Sequence, residues 1–325
     1  MRLCRFRLDD LTLTGFYLDH AVIPIDQASE IAAETARIRP PAIAGSDCVL
    51  DYLPPDGAAC EHAALLWGWI QTLAADSRAE LEIPLEEVEL LVPLPTPPKL
   101  LLLAGNYPKH VEERGGRAAE REATFPYVFW KPPTTTMIGP GAPIVLPAAS
   151  PDHIDWEGEL GVIIGRGGRA IPESQALEHV AGYTIVNDVS DRRFRPNPGR
   201  TPRPRDEHFD WLHGKWHDTF CPCGPCILAA GSDVDPQDLR IRLTVNGATR
   251  QDGHTGDMIF PVAAIIAFLS SFMTLEPGDL IATGTPAGVG SARGEYLRHG
   301  DRVVVSIDGI GRLENPVVDP RMQQS

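Results

Sequence analysis

Positive charge is scarce in this chain. Its 325 residues hold 29 Lys and Arg against 44 Asp and Glu, a formal net charge of −15. That balance argues against a nucleic acid or an anionic membrane as the main partner. No 18 consecutive residues are apolar, so no membrane-spanning helix is expected. Residues 1–10 lack the apolar core of a secretion signal, and a cytoplasmic protein is the expectation. Several catalytic signatures are missing too. There is no Gly-x-Ser-x-Gly elbow, no His-Glu-x-x-His, no Gly-Lys-Ser/Thr phosphate loop and no dinucleotide fingerprint in a strand–helix setting. Their absence removes the common serine hydrolases, zincins and nucleotide-binding folds. No internal repeat is present. A small anionic substrate stays open, because a local metal outweighs a distant field.

Cysteine is sparse as well, with six residues, three of them clustered as Cys221, Cys223 and Cys226. A soft-metal or redox site, such as a zinc-binding interaction module, is one reading. No second cysteine pair stands at zinc-ribbon spacing, so small buried residues in a Pro/Gly-rich turn are the preferred one. The apolar fraction, 43%, is that of an ordinary globular protein.

Residues 1 to about 92 read as one unit, with extended segments near residues 15–26, a helix from Asp26 and a second helix over Glu61 to Ala75. Val92 to Lys99 packs four prolines into eight residues, a stiff linker. The expected division is 1–95 and 96–325. Beyond Leu100, short apolar runs alternate with Gly and Pro and predict seven or more strands. One helix, Pro261 to Phe272, interrupts them. Asn246-Gly247 signals a hairpin. The stretch Arg192 to His213 shows no period and reads as a surface loop or lid. His208, His213 and His217 fit no zinc spacing and read as loop residues.

Residues 153–165 carry the strongest chemical signal. Glu157 and Glu159 stand two apart at the mouth of an apolar run, and in a strand such residues share a face, with Asp155 one step back. Carboxylates that close repel unless a cation or proton lies between them. A divalent ion with oxygen ligands resolves the repulsion. Asp188, ending the run Tyr183 to Asn187, offers a third oxygen, and such a set suits Mg²⁺, Mn²⁺ or Ca²⁺ rather than Zn²⁺. His110 and Glu113 meet if they lie on a helical turn, and a carboxylate-oriented imidazole is a general base; the plain alternative is a surface helix with an incidental histidine. Lys131 and Lys215, in aromatic or Gly settings, could bind a carboxylate or an oxyanion. The Gly-rich loop after Thr283 could hold an anion on its amides.

Taken in order, these strings resemble the fumarylacetoacetate hydrolase family. Residues 103–113 look like its Gly-x-Asn-Tyr-x-x-His-x-x-Glu segment, 129–133 its Phe-x-Lys-Pro, 155–165 its metal motif and 182–188 its third-ligand strand. Residues 214–225, Val245-Asn-Gly, Gln251-Asp-Gly and 283–290 complete the set, from about residue 100 to 315. The resemblance implies an α+β, β-rich protein: a mixed β-roll catalytic domain with a smaller N-terminal α+β domain, working as a homodimer with Mg²⁺, Mn²⁺ or Ca²⁺. It implies Glu157, Glu159 and Asp188 as metal ligands, His110 and Glu113 as a water-activating dyad, and Lys215 and Thr285 on the substrate or developing charge. Arg192, Lys131 and Tyr107 would bind substrate. Arg195 stands where the family often has Gln, so the substrate differs in detail. The expected activity is hydrolysis of a C–C bond in an acylpyruvate-like β-diketo acid through a metal-bound enolate. The alternative is 2-oxo acid isomerisation or decarboxylation, of the hydroxyhepta-dienedioate isomerase or oxaloacetate decarboxylase type, at the same site. A non-catalytic scaffold on a retired enzyme fold is the competing class.

Overall fold

The computed structural model describes residues 1–41, 48–118, 120–231 and 233–323. Its backbone is a large mixed sheet of twelve strands faced by a second sheet of five. At the centre of the large sheet, Gly158–Ile164 lies between Val180–Asn187 and Leu280–Ala282, antiparallel to both. Every residue of Gly158–Ile164 and of Val180–Asn187 is buried. That is the expected fate of continuous apolar runs covered on both faces. Leu100–Ala104 extends the sheet in parallel beside Leu280–Ala282, and Tyr127–Trp130 closes that edge.

The other half of the sheet comes from the N-terminus. Arg2–Leu8 pairs with Cys221–Ala229, and Leu11–Tyr17 and Ala21–Pro24 follow as antiparallel neighbours. The helices Ile25–Thr35 and Ala58–Thr72 form as expected. A buried hydrogen bond of 2.9 Å between Ser29 Oγ and His62 Nε2 joins them. The division at residue 95 we keep as a proposal about sequence; the sheet itself runs across it.

The second sheet is built on Arg240–Val245, Ala248–His254, Arg302–Ile307 and Gly311–Val318. Its first hairpin turns at Asn246 and Gly247, whose φ values of 52° and 79° are those that a two-residue hairpin demands. Apolar side chains of both sheets share one core, Leu160 and Val162 with Leu243 and Val305. The helix Val262–Phe272 covers one end. Among the described residues no helix is long and apolar enough to cross a membrane.

Two expectations need correction. Cys221, Cys223 and Cys226 lie in a buried strand, Cys221–Ala229, rather than in a turn. Pairing on both sides, with Arg2–Leu8 and with Val180–Asn187, overrides the local Pro/Gly preference. The thiols are free, and burial pushes Cys223 and Cys226 up to about 12, which suits core packing and not metal ligation. Second, the stretch after Arg192 contains a helix, Asp206–His213, so His208 and His213 are helical. Arg200 and Arg203 pair with Asp206 at its start, where acidic residues are favoured. Eight residues are too few to show a helical period.

Gly182 shows how tightly the central strands approach: a Cβ there would lie 2.5 Å from Leu228 O on the neighbouring backbone. Gly182→Ala should therefore destabilise the chain by about 1–3 kcal/mol, read as a lower urea midpoint. An unchanged midpoint would contradict the packing described.

Candidate functional site

Glu157 occupies the two-residue break between the short strand Ile154–Asp155 and Gly158–Ile164, and Asp188 follows the last residue of Val180–Asn187. The two breaks face each other. Asp188 N donates to Glu157 O at 2.8 Å, and Glu157 N to Asn187 Oδ1 at 3.0 Å. Glu159 rises from the adjacent strand. One oxygen from each of Glu157, Glu159 and Asp188 lies within 4.8 Å of the others, and all three residues are buried.

Cations surround this triad. Lys215 Nζ donates to Glu157 Oε2 at 2.6 Å and to Asp188 Oδ2 at 2.5 Å, and lies 5.1 Å from the centre of the Phe129 ring. Arg192 pairs with Asp155 Oδ2 at 2.8 Å and Glu157 Oε1 at 2.5 Å. Burial opposes the charge of Glu157, but Arg192 and then Lys215 outweigh it and hold the carboxyl well below its usual range. Lys215 likewise resists its burial, since Asp188 and Glu157 raise its pKa. Glu159 differs. Its one hydrogen bond among the described residues comes from Gly284 N, at 2.8 Å. Burial, and then the charges of Asp188 and Glu157, push its carboxyl well up.

The donor set suits a divalent cation. It is three hard carboxylate oxygens with no thiolate among them, on three buried residues. Those are the ligands that Mg²⁺, Mn²⁺ or Ca²⁺ prefers.

His110 and Glu113 meet as the helix Pro108–Glu113 forms, His110 Nδ1 lying 2.8 Å from Glu113 Oε1. Glu113 Oε2 accepts from Gly288 N at 2.8 Å. Burial favours the neutral acid, but the bonds from His110 and Gly288 prevail and lower its pKa. His110, Glu157, Glu159, Arg192, Lys215 and Thr285 line one cavity of about 540 Å³, whose outer wall holds Arg114, Phe125, Tyr127 and Trp211. Thr285 Oγ1 donates to Gly158 O at 2.9 Å and accepts from Gln251 Nε2 at 2.7 Å.

Three residues sit differently from expectation. Lys131 is completely buried, 2.5 Å from Asp188 Oδ1, and bonds Val189 O and Phe220 O. It supports Asp188 from behind and is not part of the cavity wall. Tyr107 is buried too, its hydroxyl without a hydrogen-bond partner among the described residues, and its pKa is raised by burial and by Glu159. Neither is among the residues that line the cavity. Asp155 leaves the face of the Glu pair and accepts from Gly290 N, Ser291 N and Arg192.

The sequence reading quoted Gln251 within a motif but gave it no role, and it missed Trp211 and Arg114. Gln251 signals itself as a polar residue buried in a strand, its Oε1 accepting from Gly158 N at 2.9 Å. Arg114 carries no such signal, having only its place after Glu113.

The model of the fumarylacetoacetate (FAA) hydrolase C-terminal family matches residues 99–318. Oxaloacetate tautomerase YisK of Bacillus subtilis is 39% identical over 259 residues, 79% of this chain and 81% of that protein. A solved fumarylacetoacetate hydrolase from Exiguobacterium antarcticum superimposes with a TM-score of 0.73 at 32% identity, covering 98% of this chain and 99% of its own. A solved 5-carboxymethyl-2-hydroxymuconate delta-isomerase from Mycobacterium smegmatis gives 0.66 at 33% identity, covering 98% and 99%.

The strain on Glu159 has a measurable sign. With a chelator present, its ionised form is less favourable folded than unfolded. Stability on its account falls as pH rises from the ordinary carboxylate value, about 4.3, through the raised folded value. Glu159→Gln should raise the melting temperature at pH 7 in chelator by a few degrees, lose that advantage below pH 4, and abolish the stabilisation given by added Mn²⁺. A variant that melts lower than wild type at pH 7 in chelator would contradict the description.

Proposed function

The chain belongs to the fumarylacetoacetate hydrolase family, and from that premise we propose that this enzyme acts on a small 2-oxo acid by proton transfer between its enol and keto forms. The observation that carries the reading is the His110–Glu113 pair, 2.8 Å apart, with His110 in the wall of the cavity that Glu157 and Glu159 also line. The tautomerase and isomerase relatives support it. A divalent cation, Mg²⁺, Mn²⁺ or Ca²⁺, would be held by Glu157, Glu159 and Asp188 and, when bound, would polarise the 2-oxo group and acidify the neighbouring C–H.

The protein's own groups do the rest. Glu113 accepts the Nδ1 proton of His110 and fixes the tautomer in which Nε2 is a base. Nε2 takes a proton from C3 of the keto acid, and the imidazolium so formed gives that proton to the enolate oxygen, so that no net proton is gained or lost. In the reverse direction the same imidazolium returns the proton to carbon. Lys215 and Arg192 hold Glu157 in place and offer positive charge to the acid's carboxylate. Lys131 holds Asp188. Thr285, braced by Gln251 and Gly158, presents its hydroxyl at the cavity wall. On the same family grounds we propose a homodimer.

Hydrolysis of a C–C bond in an acylpyruvate is the second reading. The full-length match to a solved fumarylacetoacetate hydrolase favours it. His110 would then take its proton from water, hydroxide would add to the remote carbonyl, and the carbon released as the C–C bond breaks would be reprotonated.

His110→Asn should slow the enol-to-keto conversion of oxaloacetate, followed by ultraviolet absorbance with Mg²⁺, by about 10²–10⁴-fold. The Mg²⁺-induced rise in melting temperature should be kept. Unchanged turnover would sink the base assignment. Acetate and pyruvate formed from acetylpyruvate as fast as oxaloacetate is tautomerised would decide for hydrolysis.

A further inference from the structure

The strand Ala248–His254 of the second sheet has one buried residue, and it is polar: Gln251. Its amide leaves its own sheet and meets the peptide of Gly158, between the triad's Glu157 and Glu159. Gly158 N donates to Gln251 Oε1 at 2.9 Å, and Gln251 Nε2 donates to Thr285 Oγ1 and to Pro286 O, each at 2.7 Å. Thr285 Oγ1 donates in turn to Gly158 O at 2.9 Å.

The direction of every bond in this ring is settled. A backbone N–H only donates, so the amide atom facing Gly158 N is oxygen. A backbone carbonyl only accepts, so the atom facing Pro286 O is nitrogen. That nitrogen gives its second hydrogen to Thr285 Oγ1, and the threonine's single hydrogen goes to Gly158 O. A hydroxyl has one hydrogen and two lone pairs, which leaves Thr285 one free lone pair and no free hydrogen.

The hydrogen is also held where it is. Asp188 N bonds Glu157 O, so the next pair along, Gly158 with Asn187, is the kind whose backbone groups point away from each other. On the far side, the strand Leu280–Ala282 pairs only as far as Gly161. Gln251 and Thr285 take the place of a neighbouring strand for Gly158. Were Thr285 to turn its hydrogen toward a ligand, the carbonyl of buried Gly158 would lose that partner, which costs free energy.

We propose that Gln251 is a positioning residue: it holds the Thr285 hydroxyl as a fixed acceptor beside the triad, so that the site prefers a ligand bringing a donor there. Thr285 lines the cavity with Glu157 and Glu159, and its neighbour Gly284 gives its N–H to Glu159. The donor that fits this chemistry is an enol hydroxyl. The keto form has no hydrogen on that oxygen and gains nothing from the contact. This rests on the 2-oxo acid reading above and adds to it a means by which the protein favours the bound enol.

Pyruvate and lactate stand in for the two forms. Both are three-carbon monoanions, and they differ at C2, a carbonyl oxygen against a hydroxyl. Calorimetry in Mg²⁺ compares them without turnover. Wild type should bind the better enantiomer of lactate about fivefold more tightly than pyruvate, the scale of one hydrogen bond. Thr285→Val should remove that preference, and Thr285→Ser, which keeps the hydroxyl, should retain it. Gln251→Met, of similar size but without the amide, should remove it as well by freeing the hydroxyl to turn. The double variant should show nothing beyond Thr285→Val. A purely structural role for Gln251 weakens both acids alike at an unchanged ratio, and that result overturns the proposal, as does a preference for pyruvate in wild type. Should Gln251→Met fail to fold, the threonine variants decide, and a ratio kept in Thr285→Val overturns it. If wild type binds neither acid, the 2-oxo acid reading falls and this inference falls with it.

Discussion

Four buried carboxylates against three buried cations is the constraint on which the rest of the molecule depends. Asp155, Glu157, Glu159 and Asp188 stand within the reach of Lys131, Arg192 and Lys215. The count leaves one negative charge, and its position is not diffuse. It falls on Glu159, which no lysine or arginine among the described residues touches. Removing ions from water costs several kcal/mol each unless partners are close and well aimed. A divalent cation shared by the triad turns the residual charge from minus one to plus one.

Such a cluster needs backbone donors as well, and one loop supplies them. Gly284 N serves Glu159, Gly288 N serves Glu113, and Gly290 N and Ser291 N serve Asp155. Gly284 and Gly288 adopt φ of +91° and +111°, where a side chain is strained, and a Cβ on Gly288 would lie 2.0 Å from Arg250 O. The sequence placed an anion on these amides. The anions they hold are the protein's own. The loop thus joins the Glu159 strand, the helix of His110 and Glu113 and the Asp155–Arg192 pair in a single hydrogen-bonded unit, while Gln251 ties the same loop to the second sheet.

What was legible in the sequence and what was not divides along physical lines. The central strands and the hairpin at Asn246 showed themselves because burial and turn geometry are written in local patterns, period and dipeptide. The convergence of Glu157 with Glu159 was readable from spacing, although Glu157 sits in a strand break and not in the strand itself. Asp155 left that face because Arg192 and the loop amides, all distant in sequence, hold it elsewhere. The same long-range pairing hid the strand at Cys221–Ala229 behind its prolines and glycines. It also turned Lys131 from a surface-facing cation into the inner support of Asp188. A lysine's surroundings are set by elements dozens of residues away, and no local pattern records them.

The two ends of the cavity answer differently to substitution. At the inner end each charged side chain is buried and shares partners with others, so exchanging one leaves an uncompensated charge behind and costs much. At the outer end Tyr127 is 64% exposed and Phe125 58%, and Arg114 lacks an ion-pair partner among the described residues. Replacement there disturbs little of the fold. Proteins similar to this chain carry the names tautomerase, hydrolase and isomerase. The helix Pro108–Glu113 spans the divide, bringing His110 to the inner end and ending at Arg114 on the outer one. One short turn of helix therefore joins the base proposed for the reaction to the outer wall of the cavity.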